Sequence, residues 1–452
     1  MDRNRECMKA NVTKSLAAAG LAFAMCGGAH ANVVVTVDHE DHLYRCGEEI
    51  VFTARADGEN AAKTLPWRLA GDGGLCETGV WDVATGPLVK KASLARPGFA
   101  LLTVTISAEK GTKAVERHAG AGVEPERIVA GTSKPDDFDA YWEGQIAALR
   151  KLPVKVVLRE APEAIDEKHR AEWADKAVVY DVRLEDGVYN ATGFLTIPKD
   201  AKPGSLSALC TFGGAGWKGA FANPKDAVGY GAMVFHMNLH DSANKLDKEG
   251  YREVSARTKA YQYVNLENRE AYYPRKIFLR IVRVLDYVKT RPEWNGRELG
   301  VRGPSMGGCQ ALVAAALDKD VTMCVAGAPA MCDHQGYRAG HVCGYPNVLS
   351  RYRGDQAAFA AAERNSAYFD AVNFARRISC EVVFGAGFID TTCPPTSVYA
   401  AFNACPSKGK CIFNAVDDGH YGKAFACDRT GRMRSHLTKQ NKQATNKKGN
   451  RQ

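Results

Sequence analysis

A serine set among glycines, an aspartate closing an apolar run and a histidine late in the chain could together carry out acyl transfer. The serine is Ser305, in the run Gly303-Pro304-Ser305-Met306-Gly307-Gly308, a G-x-S-x-G-G pattern. Glycines there remove Cβ atoms where a tight turn brings backbone segments together, and the serine hydroxyl is left to project alone. A serine hydroxyl is a poor nucleophile until a base takes its proton, and the imidazolium so formed needs an anion beside it. Asp390 closes "CEVVFGAGFID" and His420 closes "KCIFNAVDDGH", so acid and base both follow the serine. Asp417 and Asp418 are second candidates for the acid, ranked lower because they are close sequence neighbours of His420 in a turn. The oxyanion needs two donors. One is the backbone N–H of Met306, and the other belongs to the glycine loop "FGGAG", with Gly214 preferred over Gly213 or Ala215. His236 and His240 are spaced for a metal only if they lie on a helix. Their segment reads as a strand end, where residues four apart cannot pinch one ion. His334 and His341 could line a pocket, but both precede the acid.

These residues need elements to hold them. "ELGVRG" reads as a strand and "MGGCQALVAAALD" as a helix, which puts Ser305 at a strand-to-helix turn, the setting that gives the glycine pattern its meaning. "CEVVFGAGF" and "KCIFNAV" read as strands, so Asp390 and His420 sit in loops at the sheet edge to which that turn points. "SALCTFGGAGW", "YGAMVFHMN" and "VTMCVAGAPA" read as further strands. "TSVYAAFNA" reads as a helix, and "YPRKIFLRIVRVLDYVKTRPEW" as an amphipathic one with Ile277, Ile281, Leu285 and Val288 on one face. Such alternation predicts a mainly parallel sheet with helices on both faces, and with the order Ser305, Asp390, His420 it predicts an α/β-hydrolase fold over residues 124–427. A helix from Asp136 or Asp137, stopped by Pro153, opens this part, its aromatic residues spaced for packing. Residues 32–123 carry short β-branched runs between turn signals such as "GDGG", which predicts an independent all-β sandwich of immunoglobulin-like type.

The 452 residues allow about two or three domains. No apolar run approaches the roughly 18–20 residues needed to span a bilayer. From Met8, two lysines, a short apolar core and Ala29-His30-Ala31 have the order of a secretory signal, with cleavage expected after Ala31 and export to the periplasm or medium. The formal charge is +9, and eight of the Lys and Arg lie from Arg429 onward without any acid. Residues 428–452 are therefore expected to be a disordered basic tail, and a nucleic-acid partner is not expected. Of the fourteen cysteines, Cys7 and Cys26 would leave with the signal, and Cys46 and Cys76, then alone in the N-terminal region, are the expected disulfide. No C-x-x-C pair occurs, so a structural zinc is not expected; no cofactor is expected either.

The run "YPRKIFLRIVRVLDYVKTRPEWNGRELGVRGPSMGGCQALVAAALDKDVTMCVAGAPAMCDH" resembles the acetyl xylan esterase and cephalosporin C deacetylase family, the seventh carbohydrate esterase family. So do "KPDDFDAYW", "YFDAVNFARRISCEVVFGAGFIDTTCPPTSVYAAFNA" and "DDGHYG". The resemblance covers most of residues 125–427, and exported two-domain relatives look similar. It implies an α/β-hydrolase fold, a serine mechanism without metal and the removal of acetyl groups from carbohydrates. It places Ser305, Asp390 and His420 at the triad positions and Met306 and Gly214 at those of the backbone donors, Gly214 standing where the family usually has the tyrosine of an H-G-Y run. Three positions depart from the family pattern. "NLHDSAN" replaces the R-G-Q run, Tyr421 replaces the glutamate after the histidine, and Met306 replaces the glutamine after the serine.

The leading expectation is thus an exported serine esterase acting on acetylated oligo- or polysaccharides, with homo-oligomerisation open. The alternatives are an α/β hydrolase of other acyl esters or peptides, and a glycan-binding protein with a degenerate hydrolase site.

Overall fold

The structure, a computed structural model, describes residues 32–57, 64–106, 114–216, 219–426 and 431–438. The signal-like segment before Asn32 lies outside the described residues.

Residues 32–123 form eight strands: β1 (Asn32–Val37), β2 (Leu43–Tyr44), β3 (Ile50–Asp57), β4 (Thr64–Gly71), β5 (Cys76–Asp82), β6 (Leu88–Ala92), β7 (Gly98–Ile106) and β8 (Val115–Val123). They make two sheets, of order β1-β3-β6 and β2-β8-β7-β4-β5. Alternation along β7 turns Leu102, Val104 and Ile106 inward, where they meet Phe52, Ala54 and Leu69 between the sheets. An all-β layer pair therefore precedes the catalytic part, as the turn-punctuated runs predict.

The expected Cys46–Cys76 disulfide does not form. Cys46 follows β2 on one edge of the five-stranded sheet and Cys76 opens β5 on the opposite edge. Four strand spacings of about 4.8 Å separate those edges, roughly 19 Å, far beyond the reach of a disulfide. The Cys46 thiol instead donates to Glu124 Oε2 at 2.9 Å.

The second part is built on β9 (Lys155–Glu160), β10 (Ala177–Glu185), β11 (Ala191–Pro198), β12 (Leu206–Phe212), β13 (Ala232–Met237), β14 (Trp294–Pro304), β15 (Met323–Gly327), β16 (Glu381–Gly387) and β17 (Lys410–Ala415). Their order is β17-β16-β15-β14-β12-β13-β11-β10-β9. The six strands from β13 to β17 run parallel, and β11, β10 and β9 extend the sheet antiparallel at one side. β12 and β13 are buried along their whole length, as central parallel strands covered on both faces must be. Four helices bear on the site: α1 (Phe138–Arg150), α2 (Tyr273–Lys289), α3 (Met306–Leu317) and α4 (Pro395–Ala404). α2 buries Ile277, Ile281, Leu285 and Val288, the face its spacing predicts. The α1 aromatics pack: Trp142 lies against Phe369 and Phe374, and its indole N–H donates to the Tyr368 carbonyl.

The basic tail is not wholly unstructured. Residues 432–438 are helical, and Met433 and Leu437, four apart, are buried against Leu209, Met323 and Val325. His436 Nε2 lies 2.8 Å from Thr322 Oγ1. Two apolar residues on one helical face are enough to dock this turn on the sheet, although composition alone reads as a solvated tail. Residues 427–430 and those beyond 438 lie outside the described residues.

Candidate active site

β14 ends at Pro304 and α3 begins at Met306, so Ser305 alone makes the turn. Its φ of 55° and ψ of −121° lie in strained territory for a residue with a side chain. Neighbours pay for that strain: the Ser305 N–H donates to the Gly327 carbonyl at 2.8 Å, and the Ser305 carbonyl accepts from Ala330 N–H at 2.9 Å. The flanking glycines are required by contact. A Cβ on Gly303 would stand 2.5 Å from the Gly307 carbonyl oxygen, and one on Gly307 2.3 Å from the Phe212 oxygen. One on Gly308 would meet Pro329 Cα at 2.9 Å. Strand, turn, helix and the loop after β12 approach so closely that only hydrogen fits.

Asp390 and His420 arrive from the loops after β16 and β17. His420 Nε2 lies 3.0 Å from Ser305 Oγ, and His420 Nδ1 lies 2.8 Å from Asp390 Oδ2. The other carboxylate oxygen of Asp390 accepts the backbone N–H groups of Thr392 and Cys393 at 2.8 and 2.9 Å. One oxygen thus faces the imidazole while the second shapes the turn behind it. Ser305 and Asp390 are buried, a setting in which such hydrogen bonds gain strength. The rival acids point elsewhere. Asp418 accepts the Lys423 N–H, and Asp417 lies exposed, 3.9 Å from His42.

Met306, the first residue of α3, carries an N–H that the helix itself leaves unpaired. The glycine loop lies against this helix start: Gln310 Nε2 donates to both the Gly213 and the Met306 carbonyls at 3.2 Å. No atom stands within 4 Å of where a Gly214 Cβ would be, leaving space above that backbone. Gln310 is a tie that the sequence pattern does not single out. Neither is Cys393, buried in the turn behind Asp390. Burial pushes the thiols of Cys393, Cys309 and Cys332 up, which holds them protonated beside the serine. Among the described residues, an opening of about 290 Å³ lies behind the glycine loop, lined by Gly213, Gly214, Phe221, His236, Arg302 and Phe425. No triad side chain lines it.

His236 and His240 have local partners. His236 Nδ1 lies 2.7 Å from Thr211 Oγ1, and its ring lies tilted against Phe221, ring centres 3.8 Å apart. His240 Nδ1 lies 2.9 Å from Tyr273 Oη, with its ring edge-on to Tyr261. Burial holds both at about 3, as neutral rings. His334 is buried beside Asp370, and His341 lies 3.9 Å from Asp333. Where the family run departs, "NLHDSAN" braces itself: Asn238 Nδ2 donates to the Ser242 and Ala243 carbonyls, and Asn244 Nδ2 to Asp181 and the Gly193 carbonyl. Tyr421 lies edge-on to His420 at 5.0 Å and tilted against Phe425, on one side of the imidazole.

The sequence model of the acetyl xylan esterase family matches residues 127–437. The chain is 30% identical to the acetyl esterase Axe7A of Xylanibacter ruminicola over 398 residues, covering 84% of this chain and 85% of that one. Among solved structures it is similar to an acetyl xylan esterase from Paenibacillus sp. R4, at a TM-score of 0.54 and 22% identity, over 66% of this chain and 94% of the other. Acetyl xylan esterase 1 from Thermoanaerobacterium sp. JW/SL YS485 gives 0.53 and 23%, over 66% and 93%. These two likenesses bear on the fold, which is that of an α/β hydrolase.

Proposed function

Because the chain belongs to the acetyl xylan esterase family, we propose that it deacetylates acetylated carbohydrates through a Ser305–His420–Asp390 triad and an acetyl-enzyme. Family membership makes it a carboxylic ester hydrolase and supports acetyl esterase activity. The observation that carries the finer reading is the unbroken relay of 3.0 and 2.8 Å from Ser305 through His420 to Asp390.

Ser305 Oγ attacks the acetyl carbonyl carbon while His420 Nε2 takes the hydroxyl proton, and the carbonyl π bond becomes an oxyanion. Asp390 fixes the imidazole through Nδ1 and offsets its new charge. The N–H groups of Met306 and Gly214 receive the oxyanion. On collapse, the bond to the sugar oxygen breaks and His420 returns the proton to that oxygen, leaving acetyl-Ser305 and a free sugar hydroxyl. Water, deprotonated by His420, then repeats the sequence and releases acetate. The substrate is an acetylated oligo- or polysaccharide met outside the cell, in keeping with the signal-like order of residues 8–31.

The test is turnover of 4-nitrophenyl acetate and of acetylated xylan by Ser305→Ala. A folded variant should lose at least roughly three orders of magnitude in kcat on both. Activity near wild type would end the triad reading. Faster turnover of longer acyl chains by the wild type would redirect the substrate class.

A further inference from the structure

The loop that carries the triad acid is gripped at both ends by the N-terminal β-strands. At its start, Phe388 lies edge-on to Phe99 of β7, ring centres 5.0 Å apart. Gly120 of β8 comes so near that a Cβ there would stand 2.2 Å from the Phe388 carbonyl oxygen. At its end, Thr396 in the first turn of α4 donates its hydroxyl to Asp72 Oδ2 at 2.5 Å. Asp72 follows β4 and is buried. The same carboxylate accepts the Phe99 N–H at 2.7 Å from its own part of the chain and the Val342 N–H at 2.7 Å from the catalytic part. The next residue adds a backbone tie, Gly73 N–H to the Gly340 carbonyl at 2.8 Å.

Between the two grips stand Asp390, bonded to His420, and Cys393, whose N–H donates to Asp390 Oδ1. Facing the β-sheet there, the loop borders a cleft that also reaches Phe388 and Thr396. The cleft, of about 460 Å³ and lined by Arg68, Thr103, Thr105, Glu116, Asp390 and Thr391, separates the loop from β4, β7 and β8. On the side facing the sheet, the loop's support therefore comes from its ends. Cys393-Pro394-Pro395-Thr396 joins the far grip to the acid turn, and two consecutive prolines with locked φ transmit a shift at Thr396 instead of absorbing it.

We propose that Asp72 is a positioning residue for the triad, so that the N-terminal β-region is a working part of the active site and not an appended module. This rests on the Ser305–His420–Asp390 reading. Asp72 touches no reacting atom. It acts by clamping Thr396, and a carboxylate bonded to three donors is a stiffer clamp than a neutral acceptor. Displacing a catalytic group by about 1 Å costs up to roughly 10²-fold in rate, and loosening one of two grips should cost less.

The experiment uses the full chain and measures kcat and KM on 4-nitrophenyl acetate, with kcat expressed per site titrated by a covalent phosphonate. Asp72→Ala and Thr396→Val should each lower kcat per site about tenfold with KM within about twofold. Their double variant should fall no further than either alone. Thr396→Ser, which keeps the hydroxyl, should restore kcat. Should Asp72→Ala fail to fold, the near-isosteric Thr396→Val and its serine counterpart decide the matter by themselves. Wild-type kcat per site in Thr396→Val, with at most a lower unfolding midpoint, would overturn the proposal. Ser305→Ala in the same assay keeps the two readings apart. Loss of turnover there with an unaffected Thr396→Val refutes the clamp alone, whereas persistent turnover in Ser305→Ala refutes the triad itself.

Discussion

Gly307→Ala puts the smallest possible side chain where the elbow and the glycine loop meet. Gly307 is the second residue of α3 and has no positive φ, so alanine suits its backbone and is favoured in a helix by about 1 kcal/mol. The added Cβ, however, would stand 2.3 Å from the Phe212 carbonyl oxygen and 2.9 Å from that of Gly213. Ordinary van der Waals contact begins at 3.4 Å, so the two backbones must part by about 1 Å. β12 is held by ladders to β13 and β14 and cannot slide. The movement therefore falls on the loop from Gly213 or on the elbow, and either one separates the Gly214 N–H from the Met306 N–H. A misplacement of that size costs up to roughly 10²-fold, and loss of one oxyanion donor about 10²–10³-fold. We expect kcat for 4-nitrophenyl acetate to fall about 10²-fold, or about 2.7 kcal/mol in the barrier. Overpacking of about 1–3 kcal/mol, partly offset by helix propensity, should leave the protein folded. Gly144→Ala is the control. It is an exposed glycine within α1 with nothing within 4 Å of its Cβ position, and the change should stabilise by about 0.5–1 kcal/mol without altering kcat. A Gly307→Ala enzyme with kcat within twofold of wild type would refute the argument that this contact sets the oxyanion geometry.

Met433→Ala should lower the free energy of unfolding by about 2–4 kcal/mol in a denaturant titration, because its side chain is fully buried against the sheet. An unchanged midpoint would show that the turn over 432–438 does not dock. Gly300→Ala, whose Cβ would stand 2.6 Å from Met433 Sδ, should be destabilising alone and nearly harmless in the Met433→Ala background. His236 is held at about 3 by burial against an ordinary 6.5, so between those values the unfolded chain takes up a proton that the folded one refuses. Its contribution is present in full above pH 6.5 and lost as pH falls, by about 1.4 kcal/mol per unit. His236→Gln should flatten the fall in unfolding free energy between pH 6.5 and 5 by that amount, and an unaltered slope would contradict the buried neutral ring. If export occurs, mature protein from the native host should begin at Asn32, and a mature chain retaining Lys14 would exclude cleavage after Ala31.

What could be read from the sequence was whatever leaves a local trace. Gly303, Gly307 and Gly308 are dictated by backbone approach, and such approach tolerates one residue type. Asp390 and His420 close short apolar runs that read as strands, the first buried and the second on the sheet edge. Asp72 leaves no such trace: in "GDGG" it looks like any turn aspartate, and its partners Val342 and Thr396 lie 270 and 324 residues away. The paired cysteine reading failed for a similar reason, since closeness in sequence says nothing of sheet order. β11 is buried on both faces and shows no alternation, and β9 is an edge strand with Val156 and Leu158 exposed among charges. Neither gives the period-two signal that would have announced the antiparallel extension. Met433 and Leu437 are two apolar residues in a basic run, and only the surface left open by Gly300 makes them a docking face.

The strand order explains why the loops of Asp390 and His420, the proposed acid and base, need outside support. Ser305 sits at the end of β14, while Asp390 and His420 follow β16 and β17, two and three strands away. At about 4.8 Å per strand, the acid and base loops must reach back across roughly 10 and 14 Å of sheet edge to meet one hydroxyl. Part of that reach is stabilised within the catalytic fold. Asp390 Oδ1 tightens its own turn, and Gly387 lets the base loop lie against the acid loop, since a Cβ there would stand 2.5 Å from the Asp418 carbonyl oxygen. The two loops are therefore in close contact, and an anchor on either supports both. The β-region grips the acid loop through Phe99, Gly120 and Asp72, and His42 lies 3.9 Å from Asp417 on the base loop. His42 Nδ1 is itself 2.8 Å from the carbonyl oxygen of Gly120, the residue seated on Phe388. Both loops thus rest on the same end of the same sheet, at the place where their leverage on the serine is greatest.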